Sequence, residues 1–575
     1  MIKRAFFVAL GLAVSLAATI VYRPHQTADV PTASAGALDK LAPEGALLYI
    51  EARKFSSLLK AWNDSPEKAA WLESDSLSSF SQSRLFLRLK RFFERFGAAA
   101  GVPADTDFVT AVAGDESALA LYDIGKIQFV YITHLPSHEF LNSALWQARN
   151  KLQSRVAGGV TYFLGNDDKA KQVVAFAVAG DYLVLATRED LMVSTLQLLD
   201  HQPGRSLAQA SWYSAAVAAA PKTAGDMRMV LNLKEIAVDP HFRTYWIQQN
   251  ITEIHGYTAA VSDLYCQGDV YREERVLVRK DRAELAEREN LSGAVGDLLR
   301  MVPDGAGFYQ VRAVDPELAL EAMHDMVLPR PREGGDSGRQ APYILLTGGE
   351  VGSEADLETR IDVPATKAQD SHIVPAALKK QFDQSVPIAL LEAQSTERNP
   401  DGSLLAMPRL VVLAAAKPWD ASAVQQALQS MLAGELSASA MGLHWREAGE
   451  AEKYFELDGL HPLYLTARDK LLYVSNQAEL LRQALQTTGA AGKASGLTYV
   501  AGFNHERERE NFYELAGIMD RNAATNKPYS GYAPGFFSRQ IGGLSRILAR
   551  LKSEEVVERE EEDKVRQTVT YRWAR

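Results

Sequence analysis

Two stretches of this chain, APEGALLYIEAR at 42–53 and VPDGAGFYQVRA at 302–313, read almost alike although they lie 260 residues apart. A Pro-acidic-Gly turn feeding a short strand is ordinary local chemistry, so one occurrence says little. Two occurrences constrain the whole fold if their neighbours recur in the same order, because a repeated unit must bury equivalent cores through equivalent connections.

The neighbours do recur. Ser117 to Tyr122 and Ile127 to Thr133 read as a hairpin, and Pro387 to Leu391 with Leu410 to Ala415 read as its counterpart. Pro136 and Pro418 follow, each leading into a helix, Glu139 to Leu152 and Ala421 to Leu432. A strand pair comes next in each, around Ala179-Gly180 and around Ala467-Arg468, then a helix, Asp190 to Leu199 and Gln477 to Leu485. A further strand follows, Met227 to Leu233 and Leu497 to Phe503, and each series closes on strands ending at Arg279 and Trp573. This order predicts two tandem module copies at 41–282 and 298–575, joined by a connector at 283–297. Tight turns between neighbouring strands imply antiparallel pairing, so the fold class expected is α+β with mainly antiparallel sheets. In the closing strand Val565, Val569, Tyr571 and Trp573 share one face and Arg566, Thr568, Thr570 and Arg572 the other, the period of a half-buried strand. The copies differ in filling: a helical segment from Pro66 to Phe96 in the first, and added strands with a Gly-rich loop between Leu328 and His372 in the second.

Lys3 and Arg4 precede an uncharged, mostly apolar run of 18 residues, Ala5 to Tyr22. At 1.5 Å per residue such a run spans about 27 Å, enough for a bilayer core. The expectation is an uncleaved signal anchor at 5–22, with a cytoplasmic stub at 1–4 and the bulk of the chain extracytoplasmic. Cleavage after Ala33-Ser34-Ala35 is the competing reading. Residues 23–40, rich in Ala, Thr, Ser and Pro, read as a flexible tether.

The 575 residues are 47% hydrophobic and 23% charged, values of a folded globular chain of several domains. A net charge of −10 argues against nucleic acid as a partner, since phosphate binding needs a concentrated surplus of Lys and Arg. A single cysteine, Cys266, excludes an internal disulfide and a cysteine-based metal cluster.

The arrangement resembles a family of exported bacterial proteins that carry a domain of unknown function, in which a polar turn and strand follow the signal anchor and a GDE-ALAL hairpin comes later. The matching residues run from Ala42 to Tyr49 and from Gly114 to Leu121, mostly within the first copy, and Gly114 to Glu116 have no counterpart in the second. The resemblance implies a location in the bacterial envelope and this fold class, and it implies no activity.

No nucleophile elbow, phosphate loop, zinc-protease pair or calcium loop is present. His505-Glu506 opens a zincin-like pair, but Arg509 stands where the second histidine is required. The other histidines are scattered, Thr347 to Gly352 reads as a β-turn, Cys266 as a packed thiol, and Asp115-Glu116 as a solvated turn. No catalytic, cofactor-binding or metal-binding residue is therefore expected. Two stretches read as interaction surfaces. Ser83 to Phe96 places Leu85, Leu89, Phe92 and Phe96 on one helical face and Arg84, Arg88, Arg91 and Arg95 on another, a basic amphipathic pattern suited to a membrane or a partner. Leu87 and Phe93 are read as widening its packed stripe. Tyr529, Tyr532, Phe536 and Phe537 lie in a Pro/Gly-rich stretch suited to partner contact. The acidic run Glu554 to Asp563 reads as a hairpin tip. The functional expectation is an anchored periplasmic binding or assembly protein, with the membrane and an envelope protein as partners; the alternatives are an envelope hydrolase with a site between the copies, and a solute-binding protein.

Overall fold

The computed structural model describes residues 38–74, 77–78, 81, 84–167, 172–239, 254–282, 288–327, 376–398, 405–436, 443–449, 453–458, 462–486, 496–511, 513–514, 517 and 547–574. The apolar run at 5–22, the insertion at 328–372 and the aromatic stretch at 528–537 lie outside them. Among the described residues no helix is long and apolar enough to cross a membrane, which says nothing of a crossing made by strands. The chain divides into two units, one comprising 1–282 with 539–549 and 563–566, the other 283–538 with 550–562 and 567–575.

The first unit contains β1 (Leu48–Arg53), β2 (Glu116–Asp123), β3 (Gln128–His134), β4 (Gln153–Ala157), β5 (Val160–Asp167), β6 (Gln172–Ala179), β7 (Tyr182–Ala186), β8 (Met227–Leu231), β9 (Tyr257–Gln267) and β10 (Val270–Arg279). They pair antiparallel in the order β4-β5-β6-β7-β3-β2-β1-β8-β9-β10. Helices α1 (Phe55–Asn63) and α2 (Arg84–Ala100) fill the crossing from β1 to β2; α3 (Glu189–Leu199) follows β7, α4 (Ser211–Ala219) precedes β8, and α5 (Leu233–Ile236) follows it.

Both faces of this sheet are covered, which is why β6 and β7 carry continuous apolar runs instead of an alternating pattern. On one face Tyr49, Ala120, Val130, Val230 and Val261 pack with Met192 and Leu196 of α3 and Ala216 of α4. On the other, Val174, Phe176, Leu183 and Leu185 pack with Phe92 and Phe96 of α2, each buried phenylalanine contributing about 2 to 3 kcal/mol. The approach of α2 to β5 is close: a Cβ on Gly165 would lie 2.0 Å from the Ala99 carbonyl oxygen.

The second unit contains β11 (Phe308–Ala313), β12 (Pro387–Gln394), β13 (Arg409–Ala415), β14 (His444–Ala448), β15 (Tyr454–Asp458), β16 (Leu463–Arg468), β17 (Leu471–Ser475), β18 (Leu497–Asn504), β19 (Leu551–Glu560) and, from Gln567 on, β20 (Lys564–Trp573). The antiparallel order is β14-β15-β16-β17-β13-β12-β11-β18-β19. β20 returns along β19 through the turn at 561–563, with the Ala574 N–H donating to the Arg550 carbonyl at 2.7 Å. This order repeats that of the first unit strand for strand, with β1 answered by β11 and β10 by β20. Helices α6 (Arg288–Leu299) and α10 (Ala478–Gln486) cover Val311, Leu391, Val412 and Val500 on one face. Helices α7 (Pro316–Val327), α8 (Ala376–Ser385) and α9 (Ala421–Leu436) cover Leu390, Val411, Leu413 and Leu465 on the other. The glycine of the repeated turn serves one purpose in both units: Gly45 and Gly305 have φ of +101° and +72°, conformations a Cβ makes costly.

Mixed helix and antiparallel sheet bear out the α+β expectation; several finer expectations need correction. The helix expected at 139–152 is broken into Ser137–Phe140, Ala144–Ala148 and a 3-10 turn, because the Ser143 hydroxyl accepts from the Trp146 N–H at 3.2 Å and starts a new helix. The segment 66–96 is likewise interrupted, into Pro66–Leu72 and α2. The tether ends before Leu38, since Leu38–Lys40 forms a 3-10 turn whose leucine is buried. The expected connector at 283–297 contains most of α6, whose Val295 and Leu298 belong to the second core. Glu554 to Glu560 lie within β19, so only the end of that acidic run is a turn.

Candidate functional site

β1 carries Tyr49 and Glu51 two residues apart, hence on one face of the sheet. Register places Glu51 beside Arg228 on β8, and Arg228 beside Asp263 on β9, so three ionisable residues form a row across three strands. Asp263 is fully buried and Arg228 nearly so, with side-chain exposures of 0% and 13%. The guanidinium meets the carboxylate as a fork, Nε to Oδ1 at 2.7 Å and Nη2 to Oδ2 at 2.8 Å. Two further bonds complete the site: Nη2 donates to the Pro221 carbonyl at 3.0 Å, and the Gly225 N–H donates to Asp263 Oδ1 at 3.0 Å. Removing either member of such a buried pair would leave the other desolvated and unpaired.

The other end of the row is chemically different. The Tyr49 hydroxyl, with no solvent exposure, donates to Glu51 Oε2 at 2.8 Å. Its ring stands edge-on to that of Tyr213 on α4, centroids 5.6 Å apart. Tyr213 in turn lies near Asp39, on the 3-10 turn that leads into the repeated phrase, and the Asp39 charge adds to the rise of its hydroxyl. Burial pushes the Glu51 carboxyl up; the Tyr49 hydrogen bond opposes this and the nearby Asp39 charge adds to it. Burial likewise pushes Asp39 up, with the neighbouring Tyr213 hydroxyl and Lys40 opposing it. Burial also raises both tyrosines. Asp39 Oδ1 is buried with no hydrogen-bond partner among the described residues. The cluster is thus a pair of buried carboxyls, Glu51 bonded to Tyr49 and Asp39 near Tyr213, both raised from their ordinary values. Perturbed carboxyls of this kind make the cluster a candidate functional position.

The second unit shows that the fold does not require this polarity. At the same positions Val311 pairs with Val500, and Val500 with Val557. Three valines therefore occupy the row that Glu51, Arg228 and Asp263 occupy in the first unit. Tyr309 keeps the place of Tyr49, its hydroxyl pushed up to about 12 by burial with Glu555 adding to the effect. No sequence motif marks the row, because its members come from three strands; only the pairing register reveals it.

The residues singled out in the sequence fall elsewhere. Arg88 is half-buried and its guanidinium donates to the Gly125 carbonyl, whereas Arg91 and Arg95 are exposed. The side chains of Arg84 and Leu85 lie outside the described set, as do Tyr529, Tyr532, Phe536 and Phe537. Leu87 and Phe93, expected to pack, are 41% and 44% exposed: Leu87 lies on the side of α2 opposite Phe92 and Phe96, and Phe93 at the edge of the packed stripe, its ring 5.6 Å from that of Phe92. Asp115 is exposed at a bend, as a solvated turn would have it, and its backbone closes a junction with α1. The Gly114 and Asp115 carbonyls accept the Ser56 and Phe55 N–H groups at the start of α1, and the Gly114 N–H donates to the Thr133 hydroxyl at 3.0 Å. Cys266 has its thiol pushed up to about 12, by burial first and Asp226 second, the opposite of an activated nucleophile. His134 lines a cavity of about 400 Å³ with Tyr182, Asp181 and Asp200. Among the described residues no group of three His, Cys, Asp or Glu side chains is placed to hold a metal ion.

No family model matches the chain, and no curated protein matches it. Among solved structures it is similar to crystal forms of TP0453. Form I is 12% identical over 46% of this chain and 86% of that one, with a TM-score of 0.24. Form III is 11% identical over 46% of this chain and 88% of that one, with a TM-score of 0.23. Similarity at this level carries no inference about fold or function, and the chain's chemistry rests on its own residues.

Proposed function

We propose that this chain is an envelope protein held to the bacterial inner membrane by its N-terminal apolar segment, whose two units are copies of one module that act by binding a partner. The observation that carries the reading is the shared strand order, together with a Tyr49/Tyr309 position and a positive-φ glycine at the same place in both. Duplicated modules free one copy to diverge, and the row that is polar in the first and all valine in the second is the form such divergence takes inside a common scaffold. The apolar run behind Lys3 and Arg4, and the resemblance to exported bacterial proteins, are what support this location.

Fractionation with crosslinking tests this. The full chain is expected to stay with inner membranes after a carbonate wash, to be digested by protease added from the periplasmic side, and to give a reproducible crosslinked envelope protein. Release by carbonate would contradict the anchor. Retention without any crosslinked partner, accompanied by turnover of an envelope substrate, would favour the hydrolase reading instead.

A further inference from the structure

The buried face of α2 is accounted for by the first core, and its outer face is not. Leu87 and Phe93, large apolar side chains 41% and 44% exposed, straddle Lys90, which is three residues from each and so lies between them on the helix surface. Arg91 and Arg95 are exposed and in no ion pair among the described residues, and the Arg91 Nε–H donates only to the Leu87 carbonyl of its own helix at 3.3 Å. Glu94 faces Lys90 across a loose 4.0 Å contact with both side chains largely exposed. Between 84 and 95 the sequence carries Arg84, Arg88, Lys90, Arg91 and Arg95 against the single acid Glu94, a local surplus of positive charge in a chain of net charge −10.

We propose that this outer face rests on an anionic phospholipid surface. Exposed aromatic and aliphatic groups interleaved with arginine and lysine match the lipid interface, where the apolar groups enter the acyl boundary while the long basic side chains reach phosphates. A convex helix face favours a flat, fluid surface over a folded acidic protein. The proposal rests on the anchored reading in one respect. Fifteen residues, 23–37, separate the apolar run from Leu38, and they span at most about 54 Å even fully extended. An anchored unit is thereby kept at high effective concentration near the bilayer, so a weak surface interaction suffices to hold it there.

The test uses the full chain with Leu87→Cys in a Cys266→Ser background, spin-labelled at 87 and placed in nanodiscs of phosphatidylcholine alone or mixed with phosphatidylglycerol. With phosphatidylglycerol the label is expected to collide more with oxygen and less with an aqueous nickel chelate; with phosphatidylcholine alone it is expected to stay in water. Arg91→Gln with Arg95→Gln should lower the ratio of lipid-contacting to free label by about 25-fold, each arginine near an anionic surface contributing about fivefold. A label that stays in water in both lipids overturns the proposal and leaves the anchor standing. Shielding only on addition of polyglutamate overturns it in favour of an acidic protein. If the chain is not retained in the discs, the anchored reading fails. Phosphatidylglycerol vesicles offered to the soluble chain then decide the helix separately: sedimentation with them sustains the lipid-facing surface, and failure to sediment overturns it.

Discussion

Arg228 and Asp263 show what one polar row does inside a sheet that elsewhere is apolar. Removing one member of a buried, hydrogen-bonded pair leaves a desolvated charge, and that costs about 3 to 5 kcal/mol. Asp263→Ala or Arg228→Leu should lower stability to urea by that amount. Replacing the whole row as the second unit has it, Glu51→Val with Arg228→Val and Asp263→Val, removes the charges together and should be neutral or stabilising. A triple variant as unstable as the single ones would mean that the row is a structural requirement of this module. The row itself could not be read from the sequence: Glu51, Arg228 and Asp263 are 35 or more residues apart, and no local pattern links them. Tyr49 was legible, because the repeated phrase carries it; its partner Tyr213 was not.

At the scale of elements, the 3-10 turn Leu38–Lys40 and β1 each carry a carboxyl, Asp39 and Glu51, that burial pushes up. Glu51 and Asp39 are both raised from ordinary values of 4.5 and 3.8. In the unfolded chain they ionise near those values, while in the folded chain they keep their protons to higher pH. Their contribution to stability is therefore complete below about pH 4 and is lost as pH rises through the raised values. Urea midpoints measured from pH 4 to 7 should show the native chain losing stability relative to an Asp39→Asn, Glu51→Gln variant; a constant difference would contradict the assignment. Strands with clear apolar runs, such as β6, β7 and β13, were legible in the sequence because both their faces are buried. β4, β14 and β19 were not: β4 and β14 are edge strands with mostly exposed side chains, and β19 is rich in glutamate, a residue otherwise uncommon in strands. The outward faces of Leu87 and Phe93 were missed for a related reason, since helical spacing gives the width of an apolar stripe and not what stands opposite it.

For the whole molecule, the recurring order of elements was visible from the sequence alone because hairpins, prolines and helices follow one another at similar spacing in both halves. The sheet order was not, since β8 reaches β1 across nearly the whole first unit and β18 reaches β11 in the same way. That non-local pairing is the part of the account most exposed to test. In a Cys266→Ser background, Ala52→Cys with Met227→Cys would bridge β1 and β8, and Arg312→Cys with Tyr499→Cys would bridge the equivalent positions of β11 and β18. Two copies of one module predict that both pairs form disulfides under mild oxidation, detected by mass spectrometry of the digested full chain. A bridge in one unit and none in the other would contradict a common strand order.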